Sequence, residues 1–378
     1  MAKPYTLYAW KLSYFSAKAR ALLKFKEIPY KEKDINAWDF FYSLPKKTGI
    51  KVMPIIKNDV GVWLQDTTEL GIYLERRYPK NPIYPSSPKQ KFVAELLEAW
   101  ADEWWIPIAM HYRWSFSQNH DAFYREAGDS LLPWFPRNIK NILVNKIANT
   151  LKNYLPVVGV VPEQIPILES WSKQALDELD NHFKEHKYLL GSRPCIADFA
   201  LLGPLGPHLA RDPYPKQELI PSRPYLKAWI NRVTEGANPQ GQYLDNDQIP
   251  TTLLPIIARL MNEFMPMVQA IADQTNHYVK SKGVKIGKVL PRTVGTVRFP
   301  MAEMPYQRRA LPYSLWMVQQ CFARVFQQPL EERQKIHSWL IELGYPSLLH
   351  SHLGPPLKRH KLQTKLAGPH PERRKSKQ

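Results

Sequence analysis

Ser13 and Ser16 stand in the turn KLSYFS, where the β-branched and aromatic run Tyr5–Trp10 gives way to a basic amphipathic segment. A serine at such a handover has two possible jobs. Its oxygen caps the unpaired amides of the first helical turn, or its hydroxyl donates to a reactive atom beside the positive end of the helix. Asp66 and Thr67 open the stretch DTTELGIYLERRYP. Amides and dipole at a helix start favour a carboxylate there, although the same residue types also serve as plain caps. Pro54 sits inside KVMPII, which otherwise reads as a core strand. A central ladder position rejects proline, so a bulge, an edge strand or a cis bond at the strand's start is expected.

Other chemistry-bearing groups are sparser. His182 and His186 share a helix face at i,i+4, but no third ligand lies near them in sequence, and a solvated face is the plainer reading. His350 and His352 give no better metal site. Cys195 and Cys321 form no CxxC pair, which argues against a disulfide scaffold and a cysteine-ligated zinc. No metal is expected. Phosphate-cradling, zinc-protease and nucleophile-elbow motifs do not occur.

The elements that must position these residues alternate from Tyr5 to about Pro79. Tyr5–Ala9 is a strand, Ser16–Lys26 a helix, and IPYKEKDI a second short strand. NAWDFFYSLPKKTG is helical or irregular. KVMPII and VGVWL pair as a hairpin across KNDVG, and DTTELGIYLERRYP is a helix. The order is βαβ, an irregular helix, then ββα. NPIYPSSPKQ, residues 81–90, is a linker. Helical periodicity follows over 91–116, 138–154, 164–186, 195–211 and 223–234, with a proline-broken region between the first two. A further segment from 246 to 355 offers a long helix (251–281), a Gly/Val/Arg-rich hairpin (285–299) and two helices (313–327 and 329–342).

With 378 residues and 44% hydrophobic content, the chain supports two or three cores. The net charge is +18, and residues 356–378 carry eight Lys/Arg against Glu372. That stretch reads as a disordered basic tail, solubilising or touching nucleic acid or an anionic surface. MAKPYTLYAW has no apolar run of signal-peptide length, and TTLLPIIARLMNEFMPMVQAIA is interrupted by Arg259, Asn262, Glu263 and two prolines. No transmembrane segment and a cytoplasmic address are therefore expected.

Four local matches now combine. LSYFSAKARALLKFKEIPY aligns without gaps to the serine-type (theta and zeta) pattern of glutathione transferases. KVMPII resembles that family's V-P segment, and LQDTTELGIYLERRYP its L-x-E/Q/D-S-x-x-I-x-x-Y-L stretch. YLLGSRPCIADFAL resembles its second-domain signature G-x-x-x-T/S-x-A-D. Residues 5–80 and 91–234 thus resemble a cytosolic glutathione transferase, roughly 60% of the chain. The implied fold class is α+β: a thioredoxin-like domain over 1–80, an all-α domain over 91–245, then the mostly helical addition 246–355. Cys195 departs from the pattern, because a thiol is a poor acceptor where Thr or Ser caps the helix. Asp198 keeps the reciprocal half of that box, and Ser192 is a substitute cap.

The resemblance implies that glutathione lies along the first domain. Thr67 would take the γ-glutamyl carboxylate, Asp66 its ammonium, Val52 or Met53 the cysteinyl main chain beside Pro54, and Lys51 the glycyl carboxylate. Ser13 aligns to the activating serine, with Tyr8, Tyr14 and Ser16 as competitors, and Ser16 the better pure cap. WADEWWIPIAMHYRW would put Trp104, Trp105, His111 and Tyr112 against a hydrophobic electrophile, with Tyr14 on the pocket wall. An aromatic stripe at helical spacing is equally the mark of a core. A homodimer is implied by the resemblance alone.

The function expected is thiol activation for conjugation to, or reduction of, a hydrophobic electrophile, as in detoxification. Against it stands a non-catalytic binding or assembly module. The addition 246–355, the basic tail and Phe15, where theta-type sequences often have proline, favour that alternative.

Overall fold

The computed structural model describes residues 3–237 and 239–367. These fall into two compact units. One comprises the chain up to Pro156 together with Val160–Ile256, the other Val157–Gly159 and the chain from Ile257 on.

The first unit opens with β1 (Tyr5–Ala9), whose alternating Tyr5, Leu7 and Ala9 face the core. Helix α1 (Tyr14–Phe25) crosses over to β2 (Tyr30–Asp34), which pairs parallel with β1. A π-helical turn (Asp39–Ser43) and α2 (Leu44–Thr48) lead to β3 (Ile55–Lys57) and β4 (Trp63–Gln65). The sheet order is β2-β1-β3-β4, with β3 antiparallel to both neighbours. Helix α3 (Thr67–Arg77) closes a thioredoxin-like layer.

All-helical structure follows, as the periodicity requires. The first long helix is divided into α4 (Pro88–Glu103) and α5 (Ile106–Trp114), because Pro107 starts a new helix within its first turn. Then come α6 (His120–Leu131), α7 (Arg137–Lys152), α8 (Ile165–Glu185), the wholly buried α9 (Ile196–Pro204), α10 (Pro213–Glu218) and α11 (Pro224–Gly236). Residues after 246 still belong to this unit. Asp247 accepts from the Lys89 and Gln90 amides and so caps α4, and Thr252 Oγ1 lies 2.9 Å from His182 Nδ1 on α8. The expected boundary at 246 therefore moves to Ile257.

Helix α12 (Leu254–Arg259) and a π-helical turn lead to α13 (Met265–Ser281) in the second unit. Its hairpin is β5 (Thr296–Met301) with β6 (Met304–Arg309), which overlaps only the last four residues of the expected stretch 285–299 and runs on to Arg309. The period is right there: Val297, Phe299 and Met301 are buried and their neighbours exposed. Gly159, at φ +85°, lies where a Cβ would come within 2.5 Å of Gln307 O, and Tyr306 donates to Val158 O at 3.0 Å. Helices α14 (Pro312–Phe326) and α15 (Leu330–Glu342) follow as expected. Residues 356–367 are not the disordered start of a tail. Leu357, Thr364 and Leu366 are buried in a hairpin of β7 (Leu357–His360) and β8 (Gln363–Leu366). The remainder of that expected tail, 368–378, lies outside the described residues.

Candidate functional site

Three segments meet at one end of the first sheet. Tyr8 on β1 pairs with Ile55 on β3, which pairs with Gln65 on β4. The next residues along each strand lead to the Leu12–Ser13 turn, to Met53–Pro54 and to Asp66–Thr67. Register alone therefore brings together Ser13, Pro54, Asp66 and Thr67, which lie up to 54 positions apart.

Ser13, not Ser16, is the N-cap of α1. Its backbone is extended (φ −87°, ψ 126°), and its Oγ accepts from the Ser16 amide at 3.3 Å. Ser16 is fully buried, one turn too deep to cap. Accepting that amide leaves the Ser13 hydroxyl hydrogen pointing elsewhere, at the positive end of the helix. The turn is held from outside: buried Arg113 on α5 donates to Leu12 O at 2.8 Å, to Asp212 at 2.9 Å and to Pro207 O at 2.6 Å.

The Met53–Pro54 peptide is cis, one of the expected alternatives. Met53 packs on a cluster that includes Trp10, Leu12, Ile55 and Trp114. Val52 precedes it, half-buried, and Lys51 is exposed with its Nζ 5.6 Å from the centre of the Phe41 ring. Asp66 takes φ +85° and caps α3, Oδ1 accepting from the Thr68 and Glu69 amides at 2.9 and 3.4 Å. Thr67 is buried at the first helical position.

The aromatic residues expected to wall an electrophile pocket are core. Trp104 and Trp105 are buried edge-to-face against Trp171, at ring-centre distances of 5.8 and 5.1 Å, with Trp100 packed on Trp105. His111 is buried between Ser115 Oγ (2.9 Å) and Glu169 (3.1 Å), and burial holds its pKa below the ordinary value despite that carboxylate. Tyr112 lies 2.9 Å from Ser172 Oγ, and its pKa is pushed up to about 12 by burial. Tyr14 is buried with its hydroxyl on Ala101 O and its ring against Gly203. It joins the domains instead of lining a pocket. The half-buried apolar residues packed on the cluster that holds Leu12 include Tyr8, Phe40, Met53, Trp63 and Met110.

Beneath the site lies a group that the sequence reading missed. Lys18, fully buried on α1, meets Glu98 at 2.7 Å and Asp102 at 2.6 Å on α4, and Thr68 Oγ1 donates to Glu98 at 3.0 Å. One ammonium cannot neutralise two carboxylates. Burial pushes Asp102 up to about 7, against the pull of Lys18. The legible signal was Glu98 and Asp102 at i,i+4 on an apolar helix, with Lys18 inside an otherwise buried face.

His182 is buried between Thr252 and the Tyr188 carbonyl, and burial depresses its pKa to about 4. Among the described residues no group of three His, Cys, Asp or Glu could hold a metal. No described helix is long and apolar enough to cross a membrane. The Cys195 amide donates to Asp198 at 2.9 Å, the reciprocal half of the box. Ser192 does not cap this helix; its hydroxyl exchanges hydrogen bonds with Gln242.

Residues 7–82 match the family model described as the glutathione S-transferase N-terminal domain, and residues 162–236 that described as the glutathione S-transferase C-terminal domain. No curated protein matches this chain. Among solved structures, it is similar to a GST-like protein from Pseudomonas syringae, with 20% identity, 63% of this chain and 70% of that chain covered, and a TM-score of 0.41. It is also similar to the glutathione transferase GSTFuA3 from Phanerochaete chrysosporium, at 17% identity, 62% and 97% coverage, and TM-score 0.43. A third similar structure is FzlA from C. crescentus, at 14% identity, 65% and 98% coverage, and TM-score 0.38.

Proposed function

Because this chain belongs to the cytosolic glutathione transferase superfamily, we propose that it binds glutathione and uses Ser13 to activate the thiol. The observation that carries this reading is the Ser13 hydroxyl. It is partly exposed, polarised by accepting the Ser16 amide, and set at the same sheet end as cis-Pro54 and the capped start of α3.

Main-chain groups of Val52 or Met53 take the cysteinyl unit, Thr67 the γ-glutamyl carboxylate, Asp66 its ammonium and Lys51 the glycyl carboxylate. Carboxylate binding at Thr67 uses the positive end of α3, whose second and third amides Asp66 already engages. A free thiol with pKa near ~8.5 is only a few per cent ionised at pH 7. A hydroxyl donor and the dipole of α1 favour the sulfur anion. Lowering its pKa by about two units corresponds to ~2.7 kcal/mol and raises the thiolate population roughly 20–30-fold. Serine donates and does not attack. The thiolate then adds to, or reduces, a hydrophobic electrophile resting on Phe40, Met53 and Met110.

A binding or assembly module without turnover is the second reading. It is favoured by the burial of every aromatic residue expected on the pocket wall and by the added unit from Ile257. Two measurements separate the readings: retention on immobilised glutathione, and conjugation of chlorodinitrobenzene by the wild type and Ser13→Ala. Retention with turnover that Ser13→Ala slows at least tenfold supports the transferase. Retention without turnover supports the module, and neither retention nor turnover refutes both glutathione readings.

A further inference from the structure

The net charge is concentrated in the second unit. Residues 257–378 hold twenty Lys and Arg against seven Asp and Glu. Two stretches there contain no acid at all. Residues 274–302 include Lys280, Lys282, Lys285, Lys288, Arg292 and Arg298, and residues 343–371 include Lys358, Arg359, Lys361 and Lys365.

The fold brings these distant stretches onto one small sheet. Strand β8 pairs with β7 on one side, and on the other it accepts the extended segment 287–290. The Gly287 amide donates to Leu366 O at 2.7 Å, the Leu366 amide to Lys288 O at 3.0 Å, and the Leu290 amide to Thr364 O at 2.8 Å. Leu357, Thr364, Leu366 and Leu290 turn inward. Lys282, Lys285, Lys288, Lys358 and Lys361 are exposed, and Lys365 is half-exposed.

Lys358 and Lys365 are direct cross-strand partners in this ladder. Like charges placed opposite one another destabilise a sheet. Among the described residues, Lys282, Lys285, Lys288, Lys358 and Lys365 show no carboxylate within salt-bridge distance. A solubilising surface intersperses both signs, whereas this one keeps a single sign across three adjacent strands.

We propose that this sheet docks the phosphate backbone of a nucleic acid, without reading its sequence. A lipid surface fits less well, because membrane-resting elements present an aromatic or apolar face. Here Ile286 is the large apolar residue exposed among the lysines. Lys358 and Lys365 stand side by side as cross-strand partners, and Lys282, Lys285, Lys288 and Lys361 are exposed on the same and adjoining segments; separate ammonium groups of this kind suit a string of phosphates better than one small anion. Lysine acts as a point charge, so affinity comes from counterion release and carries no base preference. This inference is independent of glutathione binding.

The test uses the full chain and a fluorescent 20-nucleotide single strand, with anisotropy followed from ~50 to ~200 mM salt. The wild type is expected to bind, with log affinity falling linearly in log salt. Lys358→Gln and Lys365→Gln, made singly, each reduce the slope by about 0.7. The quadruple Lys285→Gln, Lys288→Gln, Lys358→Gln, Lys365→Gln variant loses more than tenfold in affinity. Its melting temperature is unchanged or raised, because a like-charge pair is gone. A chain ending at Ala367 keeps the binding. Three results overturn the proposal: no binding at low salt, binding lost with residues 368–378 but unaffected by the lysine substitutions, or preference for phosphatidylglycerol vesicles over the oligonucleotide.

Discussion

Lys18→Met removes the ammonium that bridges Glu98 and Asp102 and leaves two carboxylates facing each other where no water reaches. Breaking a buried pair by deleting one partner costs about 3–5 kcal/mol, since the remaining charge loses its compensation. A domain of this size shifts by about 2–4 °C per kcal/mol, so the melting transition of the first unit drops by roughly 6–20 °C at pH 8. The loss shrinks at pH 5, where protons on the two acids replace the missing cation. The wild type carries its own pH signature here. The folded pKa of Asp102, about 7, lies above the unfolded carboxylate value, so the native state binds a proton the unfolded chain releases. Its contribution is complete below about pH 4 and is lost as pH rises towards 7. Asp102→Asn flattens that slope, and Lys18→Met made in the same chain then costs less than alone. Differential scanning calorimetry at pH 5, 6, 7 and 8 reads the wild type, the two single variants and the double variant. A Lys18→Met transition within about 2 °C of wild type at pH 8, or one that falls further at pH 5 than at pH 8, refutes the reasoning.

Gly203→Ala places a Cβ about 2.6 Å from the Tyr14 ring, which its hydroxyl bond to Ala101 O prevents from swinging aside. Overpacking of this kind is expected to cost about 1–3 kcal/mol, read as a lowered urea midpoint. Arg113→Met leaves the Asp212 carboxylate buried alone and releases Leu12 O. The expected loss is about 3–5 kcal/mol, and Arg113→Met/Asp212→Leu recovers most of it by urea titration. Ser13→Ala removes the cap of α1, about 1 kcal/mol of stability, and is expected to slow conjugation at pH 7 by at least tenfold while retention on glutathione persists.

The sheet end was readable because each strand declares itself locally. Tyr5–Ala9 alternates, a proline in KVMPII signals a strand start, and Asp66 precedes a helical phase. The division of labour between the serines was not readable. The two serines stand three residues apart, so where the helix starts decides which of them caps it, and Ser16 falls on the buried face. The tryptophan stripe shows a related ambiguity. Helical spacing marks a face, but whether that face meets a ligand or Trp171, 66 residues on, depends on the packing of α8. Lys18 and its acids lie 80 and 84 positions apart, so the pairing exists only once α1 and α4 are in place. The β7–β8 hairpin was hidden by its charge. Counting lysines suggested disorder, while Leu357, Thr364 and Leu366 on one face carried the strand signal.

The most direct measurement is the ionisation of glutathione bound to the protein, followed by the ultraviolet absorbance of its thiolate as pH is raised. The account predicts a thiol pKa about two units below the free value of ~8.5, and a return towards ~8.5 in Ser13→Ala. A bound thiol that titrates at the free value, or one depressed equally in wild type and Ser13→Ala, contradicts it.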